Sequence, residues 1–250
     1  MNKLLNKIAR CEHAHHCLSN KDTTHPCYKI VSSQNVEDIC TFQVPEPWSG
    51  HIDKAKILFI SSNPSIGEDK HYPTAQSADD YVSEYFAMRF GGGSVAWIQN
   101  GTRELKNDGT YKNISFWSAV KARAKEVLGN NVCPGEHYAL TEVVHCKSKK
   151  EVGVSEAQEF CSDLYLKKIL SASSAPLIIS LGVNAQKALE STFCISSTER
   201  LTDRIMVMGY ERRIAFLPHP NARQIRTFRK LLTTEQLVEL RAYMASMSAA

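Results

Sequence analysis

Short apolar runs alternate with segments of helical periodicity along most of this 250-residue chain. Four runs predict strands: "ILFI" at 57–60, "YALTEVVHC" at 138–146, "APLIISLG" at 175–182 and "RRIAFLPHP" at 212–220. Apolar runs of this kind are typical of strands that are covered on both faces, as in a parallel sheet. Helical patterns follow them, at 115–129, 155–170, 183–192 and 233–247. The alternation predicts a three-layer α/β/α fold with a mostly parallel four-stranded central sheet.

Capping signals mark the starts of two of these helices. Ser115 opens "SFWSAVKARAKEVLG" and is expected to cap it, and the pattern stops at Gly129. Ser155 and Gln158 have the spacing of a capping box at the start of "SEAQEFCSDLYLKKIL".

The rest of the chain divides into an N-terminal segment and one long insertion within a single domain, 1–250. The segment 1–50 is rich in cysteine, and we predict a short helix within 1–16 and irregular structure over 17–56. The insertion, 70–113, contains a helix-like piece followed by "GGGS" and "NDGT", which predict a flexible hairpin or lid. Its aromatic residues form either a small core or a lid over an enlarged pocket, and we favour the lid.

The composition, 43% hydrophobic, is sufficient for a sizeable buried core. No apolar run approaches the roughly 20 residues that span a bilayer, and the first residues lack the apolar core of a secretory signal. We therefore expect a cytoplasmic monomer without membrane contact. The net charge of +4 does not by itself indicate a polyanionic partner. Six basic residues nevertheless fall within nineteen positions, as a nucleic-acid surface or a solvated helix face: Arg212, Arg213, Arg223, Arg226, Arg229 and Lys230.

Eight cysteines are many for a cytoplasmic protein of this size. Disulfides are not expected there, so the choice lies between buried free thiols and a metal or iron–sulfur site. Five cysteines have suggestive spacings: Cys11 and Cys17 in "CEHAHHC", Cys27 in "HPCYK", and Cys146 and Cys161, fifteen residues apart. Three others sit singly, and we interpret them as small buried residues: Cys40, Cys133 and Cys194.

The order of four motifs, "SSNPSIGED", "TEVVHCKS", "PLIISLGVNAQKAL" and "PHPNAR", resembles that of the uracil-DNA glycosylase superfamily. The resemblance covers nearly the whole chain apart from the insertion. Each motif is short, and their order and spacing make the resemblance specific. It implies an α/β/α fold and a DNA glycosylase that flips a nucleotide out of the duplex.

The cysteines resemble the branch of this superfamily that carries a four-iron cluster. That branch has two N-terminal cysteines, one that closes the strand equivalent to "TEVVHC" and one about fifteen residues later. The resemblance implies a structural 4Fe-4S cluster bound by Cys11, Cys17, Cys146 and Cys161. The family usually has two residues between its first two cysteines, whereas this chain has five, so Cys27 stays open as a substitute ligand. Zinc bound by the same cysteines is the alternative.

The first and last motifs supply the predicted catalytic residues. "SSNPS" resembles the Gly-Ile-Asn-Pro-Gly loop of the mismatch-specific branch, which places Asn63 on the asparagine that positions water, with Ser62 and Pro64 on either side. A plain Asn-Pro turn is the structural alternative. His219 matches the family's His-Pro-Ser motif, with Asn221 in place of the serine, which implies that it donates a hydrogen bond to the departing base.

Two further residues bear on the choice of base. Glu142 stands where the family usually has an asparagine that reads uracil; an ionised carboxylate only accepts hydrogen bonds, so it favours the amine of cytosine and disfavours uracil. A protonated or exposed Glu142 is the alternative. Tyr72 lies near the position of the family's ring beneath the flipped base, or is an ordinary loop tyrosine.

The resemblance also implies that Arg223 lies on a loop that enters the minor groove, with Arg226 and Arg229 available to hold phosphates. We predict a monofunctional DNA glycosylase for a cytosine-type or modified pyrimidine, such as a hypermodified base in viral DNA. Two alternatives stay open. One is conventional uracil repair, and the other is a non-catalytic iron–sulfur protein that binds nucleic acid.

Overall fold

A six-stranded, mostly parallel sheet forms the centre of the protein, in a computed structural model that describes residues 2–67, 69–223 and 227–247. The strands, in chain order, are β1 (Trp48–Ser49), β2 (Ile57–Ser61), β3 (Ile98–Gln99), β4 (Arg103–Leu105), β5 (Tyr111–Asn113), β6 (Tyr138–Glu142), β7 (Leu177–Leu181), β8 (Ile205–Val207) and β9 (Tyr210–Leu217). The central sheet has the order β1-β6-β2-β7-β9-β8, and β3 to β5 form a separate antiparallel sheet.

The four inner strands of the central sheet are the four that the sequence predicts. β6, β2, β7 and β9 run parallel to one another, which confirms the mostly parallel sheet. The sequence did not predict the two antiparallel edge strands, β1 and β8, because two or three residues are too few for a periodic pattern. The second predicted strand also ends earlier than expected, at Glu142, and the chain continues as a loop towards Cys146.

Helices cover both faces of this sheet. They are α1 (Asn2–Ala9), α2 (Glu12–Asn20), α3 (Tyr28–Ser32), α4 (Asp79–Ala87), α5 (Ser115–Leu128), α6 (Val154–Ala172), α7 (Val183–Phe193), α8 (Phe228–Leu231) and α9 (Thr234–Ser246). Alternate residues of β2 face different cores: Leu58 and Ile60 pack on the side of α6 and α7, and Ile57 and Phe59 on the side of α5 and α9. The three-layer α/β/α arrangement is therefore confirmed. Among the described residues, no helix is both long and apolar enough to cross a bilayer.

Both predicted serine caps are wrong. Ser115 is already inside α5 and makes no capping bond there. α6 begins at Val154, after Gly153 in a left-handed conformation, so Ser155 is also inside its helix. A Cβ atom on Gly153 would lie only 2.3 Å from the backbone nitrogen of Ile30. This close approach to α3 indicates that tertiary packing, rather than a side-chain cap, fixes where α6 starts.

The N-terminal segment is more regular than the sequence predicts. Helix α1 agrees with the short helix expected within 1–16, but α2 and α3 occupy much of the region expected to be irregular. Leu5, Ile8, Ala14 and Ile30 are buried in the core that α6 and α7 also enter. The segment is therefore part of the folded domain and not an appendage.

The insertion consists of α4 and the small sheet of β3, β4 and β5. Its helix is confirmed, and β4 and β5 form a hairpin with Gly109 in its turn. Tyr85, Phe86 and Trp97 are 1%, 0% and 4% exposed, so these aromatic side chains form a core and are not the face of a lid.

Candidate active site

The carboxyl ends of β2, β6, β7 and β9 open into a cavity of about 710 Å³. Ligands of parallel α/β proteins bind at this edge of the sheet because the loops that follow the strands converge there. Six predicted site residues line the cavity: Ser62, Asn63, Pro64, Glu142, His219 and Asn221. The structure therefore brings together residues that are up to 159 positions apart in the chain, from Ser62 to Asn221.

Asn63 has a fixed side-chain amide. Its Nδ2 atom donates hydrogen bonds to the carbonyl oxygen of Pro64, at 3.0 Å, and to Oγ of Ser148, at 3.1 Å. Ser148 belongs to the loop after β6, where its backbone nitrogen donates to the same Pro64 carbonyl at 3.2 Å. Because both hydrogens of the amide are engaged, Asn63 offers a ligand its acceptor, Oδ1. That is the atom needed to orient a water molecule, because it can accept a hydrogen bond from the water.

Ser62 is held by a residue that the sequence did not indicate. Nδ2 of Asn184, in the first turn of α7, donates to Oγ of Ser62 at 2.9 Å. Both side chains line the cavity. Ser62, Asn63 and Pro64 thus follow β2 on a loop that is tied to α7 on one side and to Ser148 on the other. The plain Asn-Pro turn is present, but its side chains face a cavity.

His219 has a defined tautomer. Its Nδ1 atom accepts a hydrogen bond from the backbone nitrogen of Asn221 at 3.2 Å. In a neutral imidazole the other ring nitrogen carries the proton, so Nε2 is the donor. The ring also stacks on Phe116, with 5.7 Å between ring centroids and an interplanar angle of 29°. These contacts fix the ring with a donor on the nitrogen opposite to Asn221.

Gly182 lies directly after β7. Because it has no side chain, the loop that carries His219 can pack closely against it. Its φ of 92° lies in the left-handed region that favours glycine. A Cβ atom at this position would lie 3.1 Å from Cβ of His219. The Gly182 backbone nitrogen donates to the carbonyl of Leu217 at 2.8 Å, which joins the ends of β7 and β9.

Asn63 and His219 approach the cavity from strands that are not neighbours. β7 lies between β2 and β9, so the two loops start two strand spacings apart, about 10 Å. This separation leaves room for a ligand between the amide and the imidazole.

Glu142 ends β6 beside Ser61 of β2 and is only 4% exposed. Burial, and the negative charge of Glu46, raise the pKa of Glu142 well above its usual value, although a hydrogen bond from Ser61 opposes this. Its Oε2 atom is buried and has no hydrogen-bond partner among the described residues. Burial and the charge of Glu46 therefore favour the neutral form of this carboxyl, which has an unpaired oxygen at the cavity.

The ionised Glu142 that would disfavour uracil is thus the less favoured of its two states. A neutral carboxyl group has one donor and one acceptor, as the side chain of asparagine has. The alternative of a protonated Glu142 is the one that the burial and the pKa direction support.

Tyr72 is not among the residues that line the cavity, so its predicted role beneath a flipped base is not supported. Its hydroxyl donates to Oε2 of Glu46 at 3.1 Å, and Nζ of Lys147 lies 3.3 Å from its ring centroid. Tyr85 and Phe86 make edge contacts with the same ring. Tyr72 therefore belongs to a buried polar cluster behind the cavity.

That cluster is centred on the carboxylate of Glu46, which accepts hydrogen bonds from Arg89 and from Ser49. Burial opposes its ionisation, but the positive charges of Arg89, Lys147 and Lys70 lower the pKa of Glu46 to about 2. Glu46 and Arg89 both line the cavity as well. A permanent anion thus lies near the neutral Glu142.

A second cavity, of about 730 Å³, adjoins the first and shares Leu181 and Asn221 with it. Three basic side chains line it: Arg123 of α5, Arg223, and Lys230 of α8. Arg123 is paired with Glu126 at 2.7 Å. The basic character and the shared wall suit a channel for the backbone of a nucleic acid.

The other predicted basic residues differ in whether they are exposed. Arg212 and Arg213 are 0% and 4% exposed, so their assignment to a basic surface is wrong. Arg212 donates to the carbonyls of Leu170 and Ser173, and Arg213 pairs with Glu239 at 2.9 Å. Arg229 is exposed on α8, as a phosphate contact requires. Arg226 lies outside the described residues.

Five buried cysteines converge between the N-terminal helices and α6. Each is less than 9% exposed: Cys11 before α2, Cys17 in α2, Cys27 before α3, Cys146 after β6 and Cys161 in α6. Burial raises the pKa of Cys146, and the other four thiols raise it further. The pKa of Cys27 is raised by burial and then by Cys161, Cys11 and Cys17. Cys27 therefore lies within electrostatic range of all four other thiols.

These thiols fit the donor set of an iron–sulfur cluster. Among the described residues, no three His, Cys, Asp or Glu side chains are grouped as ligands of one metal ion. Thiolates are ligands of a four-iron cluster and of zinc alike, so the donor set fits either group.

The three cysteines predicted as buried residues are not buried. Cys40 is partly exposed, and Cys133 and Cys194 are exposed. Cys40 lies in a one-turn 3-10 helix, Cys133 in a loop and Cys194 directly after α7, where burial could not be inferred from their neighbours.

Several residues of the candidate site carried no sequence signal. Asn184, Phe116 and Lys70 line the cavity from helical or inserted segments whose local patterns indicate only secondary structure. Glu46 stands in "VPEPW", which was expected to be irregular, and only the sheet brings it beside Glu142.

A scan against protein-family models finds no match to this chain, and a search of curated proteins finds no match either.

Proposed function

We propose that this protein is a monofunctional DNA glycosylase that hydrolyses the N-glycosidic bond of a flipped pyrimidine nucleotide and leaves an abasic site. One observation carries the proposal. Asn63, with the acceptor Oδ1, and His219, with the donor Nε2, line the same cavity from loops that start about 10 Å apart.

Cleavage of the bond gives the sugar oxocarbenium character and places negative charge on the departing base. Oδ1 of Asn63 accepts a hydrogen bond from the attacking water and so orients it towards the sugar. The water oxygen bonds to the sugar carbon as the bond to the base breaks, and the proton that the water loses goes to the departing base anion. His219 donates from Nε2 to the base oxygen on which charge develops, and this stabilisation is electrostatic. Both groups are fixed before the substrate arrives, so little reorganisation is needed during the reaction.

The choice of base depends on Glu142. Its neutral carboxyl group offers a donor and an acceptor side by side, which matches the adjacent carbonyl and N–H groups of a uracil-type edge as well as part of a cytosine-type edge. A modified pyrimidine remains our first proposal because the cavity is large. Its 710 Å³ is within the range of about 300–1,000 Å³ typical of pockets for drug-sized ligands. Uracil is the second candidate, and the neutral state of Glu142 favours it.

DNA is the partner that this reaction requires. The adjoining basic cavity, with Arg223 and Lys230, would hold backbone phosphates next to the flipped nucleotide. Arg229, exposed on α8, would extend this contact.

A 4Fe-4S cluster would be held by four of the five convergent thiols: Cys146, Cys161 and two of Cys11, Cys17 and Cys27. Bound there, it would supply structural cross-links and no chemistry for the glycosidic bond. Cys11 directly precedes α2, Cys27 directly precedes α3, and Cys161 lies in α6. The ligands would therefore tie those helices to the central domain.

The test is a cleavage assay on duplexes that contain uracil, a mismatch, hydroxymethylcytosine or glucosylated hydroxymethylcytosine, followed by alkali. We expect alkali-dependent strand cleavage of at least one duplex. Asn63→Ala should lower the single-turnover rate by about 10²–10⁴, and His219→Ala by about 10²–10³. Asn130→Ala, at an exposed position, is the matched control. Binding without cleavage of any duplex would favour the non-catalytic protein, and borohydride trapping of the enzyme on DNA would refute the monofunctional reaction.

A further inference from the structure

The wall of the cavity that faces the insertion is highly charged. Four side chains of that segment line it: Lys70, Arg89, Glu104 and Lys106. Nζ of Lys70 lies 3.4 Å from Oε1 of Glu104, and Nζ of Lys106 lies 3.5 Å from Oε2 of the same carboxylate. The exposed fraction of the side chain is 8% for Lys70, 9% for Glu104 and 16% for Lys106. This is therefore a buried group and not a solvated surface.

The group is held in place by the small sheet. Glu104 lies in the middle strand, β4, and Lys70 and Lys106 form an isolated antiparallel bridge through their backbones. Gly67 packs directly on the Lys70 side chain, because a Cβ atom on Gly67 would lie 2.4 Å from Cε of Lys70. The lysine is thereby confined to a path along the cavity wall.

The group has unused hydrogen-bonding capacity. An ammonium group has three donors, and the contacts with Glu104 engage one from each lysine. Burial lowers the pKa of Lys70 more than the charge of Glu104 raises it, so the carboxylate alone does not fully compensate the buried cation. Nε of Arg89 is also buried without a partner among the described residues. These donors would be satisfied by a ligand that carries acceptors.

The position of the group relates it to the substrate. In the proposed reaction Asn63 orients the water, His219 contacts the departing base and Glu142 contacts the edge of that base. All three come from the ends of the central strands. The insertion forms another part of the same cavity wall and contributes none of those three. A plain pyrimidine ring has no polar group besides its edge. The charged wall would therefore contact either a polar substituent on the base or the sugar and phosphate of the nucleotide, and only the first contact would distinguish one base from another.

We propose that Lys70, Glu104 and Lys106 form a second recognition site, which binds an acceptor-bearing substituent on the pyrimidine. Hydroxyl and carboxylate groups share this chemistry. The inference rests on the proposed glycosylase function and adds to it the class of base. The lysines donate to the substituent's oxygens, and Glu104 holds both ammonium groups and accepts from a hydroxyl.

The test compares single-turnover rates on duplexes that differ only in the group at position 5 of cytosine: hydrogen, methyl, hydroxymethyl, glucosylated hydroxymethyl or carboxyl. Uracil is included as a reaction standard. We expect at least a tenfold preference for one of the oxygen-bearing substituents over methyl. The hydroxyl-bearing and carboxyl-bearing duplexes distinguish a neutral from an anionic substituent.

Variants then assign the preference to the wall. Lys70→Gln and Lys106→Gln should each reduce the ratio of rates for the oxygen-bearing and methyl substrates at least fivefold. Gly67→Ala, which displaces the Lys70 side chain without removing its charge, should reduce the same ratio. Lys112→Gln is the matched control, since Lys112 is exposed on β5 opposite Glu104 and does not line the cavity.

The outcomes separate the two proposals. Cleavage of uracil or cytosine duplexes with no preference among substituents would overturn the recognition site and leave the glycosylase intact. Equal losses on every substrate in the lysine variants would also overturn it. If no duplex is cleaved, the glycosylase itself fails and the recognition site falls with it. The ratio in the wild-type protein decides the matter even if every variant fails to fold.

Discussion

Replacement of Glu142 by glutamine tests the protonation state on which the choice of base depends. The folded carboxyl keeps a proton that the unfolded chain releases above about pH 4.3. Because its folded-state pKa is raised, the stability that this group contributes is complete below that pH and is lost as the pH rises towards the folded-state pKa. Glutamine has the same shape and a permanently neutral side chain, so the variant does not lose this contribution.

The magnitude follows from linkage. Within this window the unfolded state binds one proton fewer than the folded state, and the wild type loses about 1.4 kcal/mol per pH unit relative to the variant. We therefore expect Glu142→Gln to gain stability over the wild type as the pH rises above 5, by on the order of 1 kcal/mol per pH unit up to the folded-state pKa. Glu142 is 4% exposed, so solvent screening does not reduce this figure greatly.

Urea unfolding at pH 5, 6 and 7 measures this difference. Glu159→Gln, on the exposed side of α6, gives the baseline for the same chemical change. A stability difference for Glu142→Gln that does not change with pH would refute the reasoning, because it would mean that the folded and unfolded carboxyl groups ionise alike. The functional counterpart is that Glu142→Gln keeps its base preference at pH 7, whereas Glu142→Ala loses it.

Three further predictions concern the supporting elements. Gly182→Ala places a methyl group against His219 and forces alanine to a φ of 92° with a ψ of 174°, so it should cost about 1–3 kcal/mol of stability and lower the single-turnover rate at least tenfold, as measured by unfolding and cleavage assays. Cys161→Ser should lower the iron content and the visible absorbance of anaerobically purified protein at least twofold, whereas Cys133→Ser, at an exposed loop, should change neither. Arg223→Gln should reduce the slope of log affinity against log salt by about 0.9, the contribution of one phosphate contact on duplex DNA; an unchanged slope would remove Arg223 from the DNA surface.

The fold could be predicted where the sequence pattern has a single physical cause. β2 and β7 are buried on both faces, so their apolar runs are explicit, and Gly129 ends α5 as predicted because its φ of 89° favours glycine. Helix starts could not be predicted in the same way. Gly153 begins α6 because of the backbone of α3, which is more than 120 residues away in the chain, and no local pattern carries that information.

The same distinction applies to the candidate site. Asn63 and His219 were predicted because their short motifs place them at strand ends, and strand ends of a parallel sheet meet. The ionisation of Glu142 could not be predicted from neighbouring residues, since it depends on burial and on Glu46, which is 96 positions earlier. Tyr72 was assigned to the cavity by its position in the chain, yet the Glu46 carboxylate holds it behind the cavity wall.

The insertion and the base-reading residue are electrostatically connected. Arg89, from the insertion, is the main positive charge that keeps Glu46 ionised in spite of its burial. The charge of Glu46 in turn raises the pKa of Glu142. If the insertion contributed no cation here, burial would favour a protonated Glu46, and Glu142 would lose the anion that opposes its own ionisation. Burial is nevertheless the first cause of the raised pKa of Glu142, and Arg89 itself acts to lower that pKa. The insertion therefore acts on Glu142 in two opposite directions, through the anion that Arg89 stabilises and through the charge of Arg89.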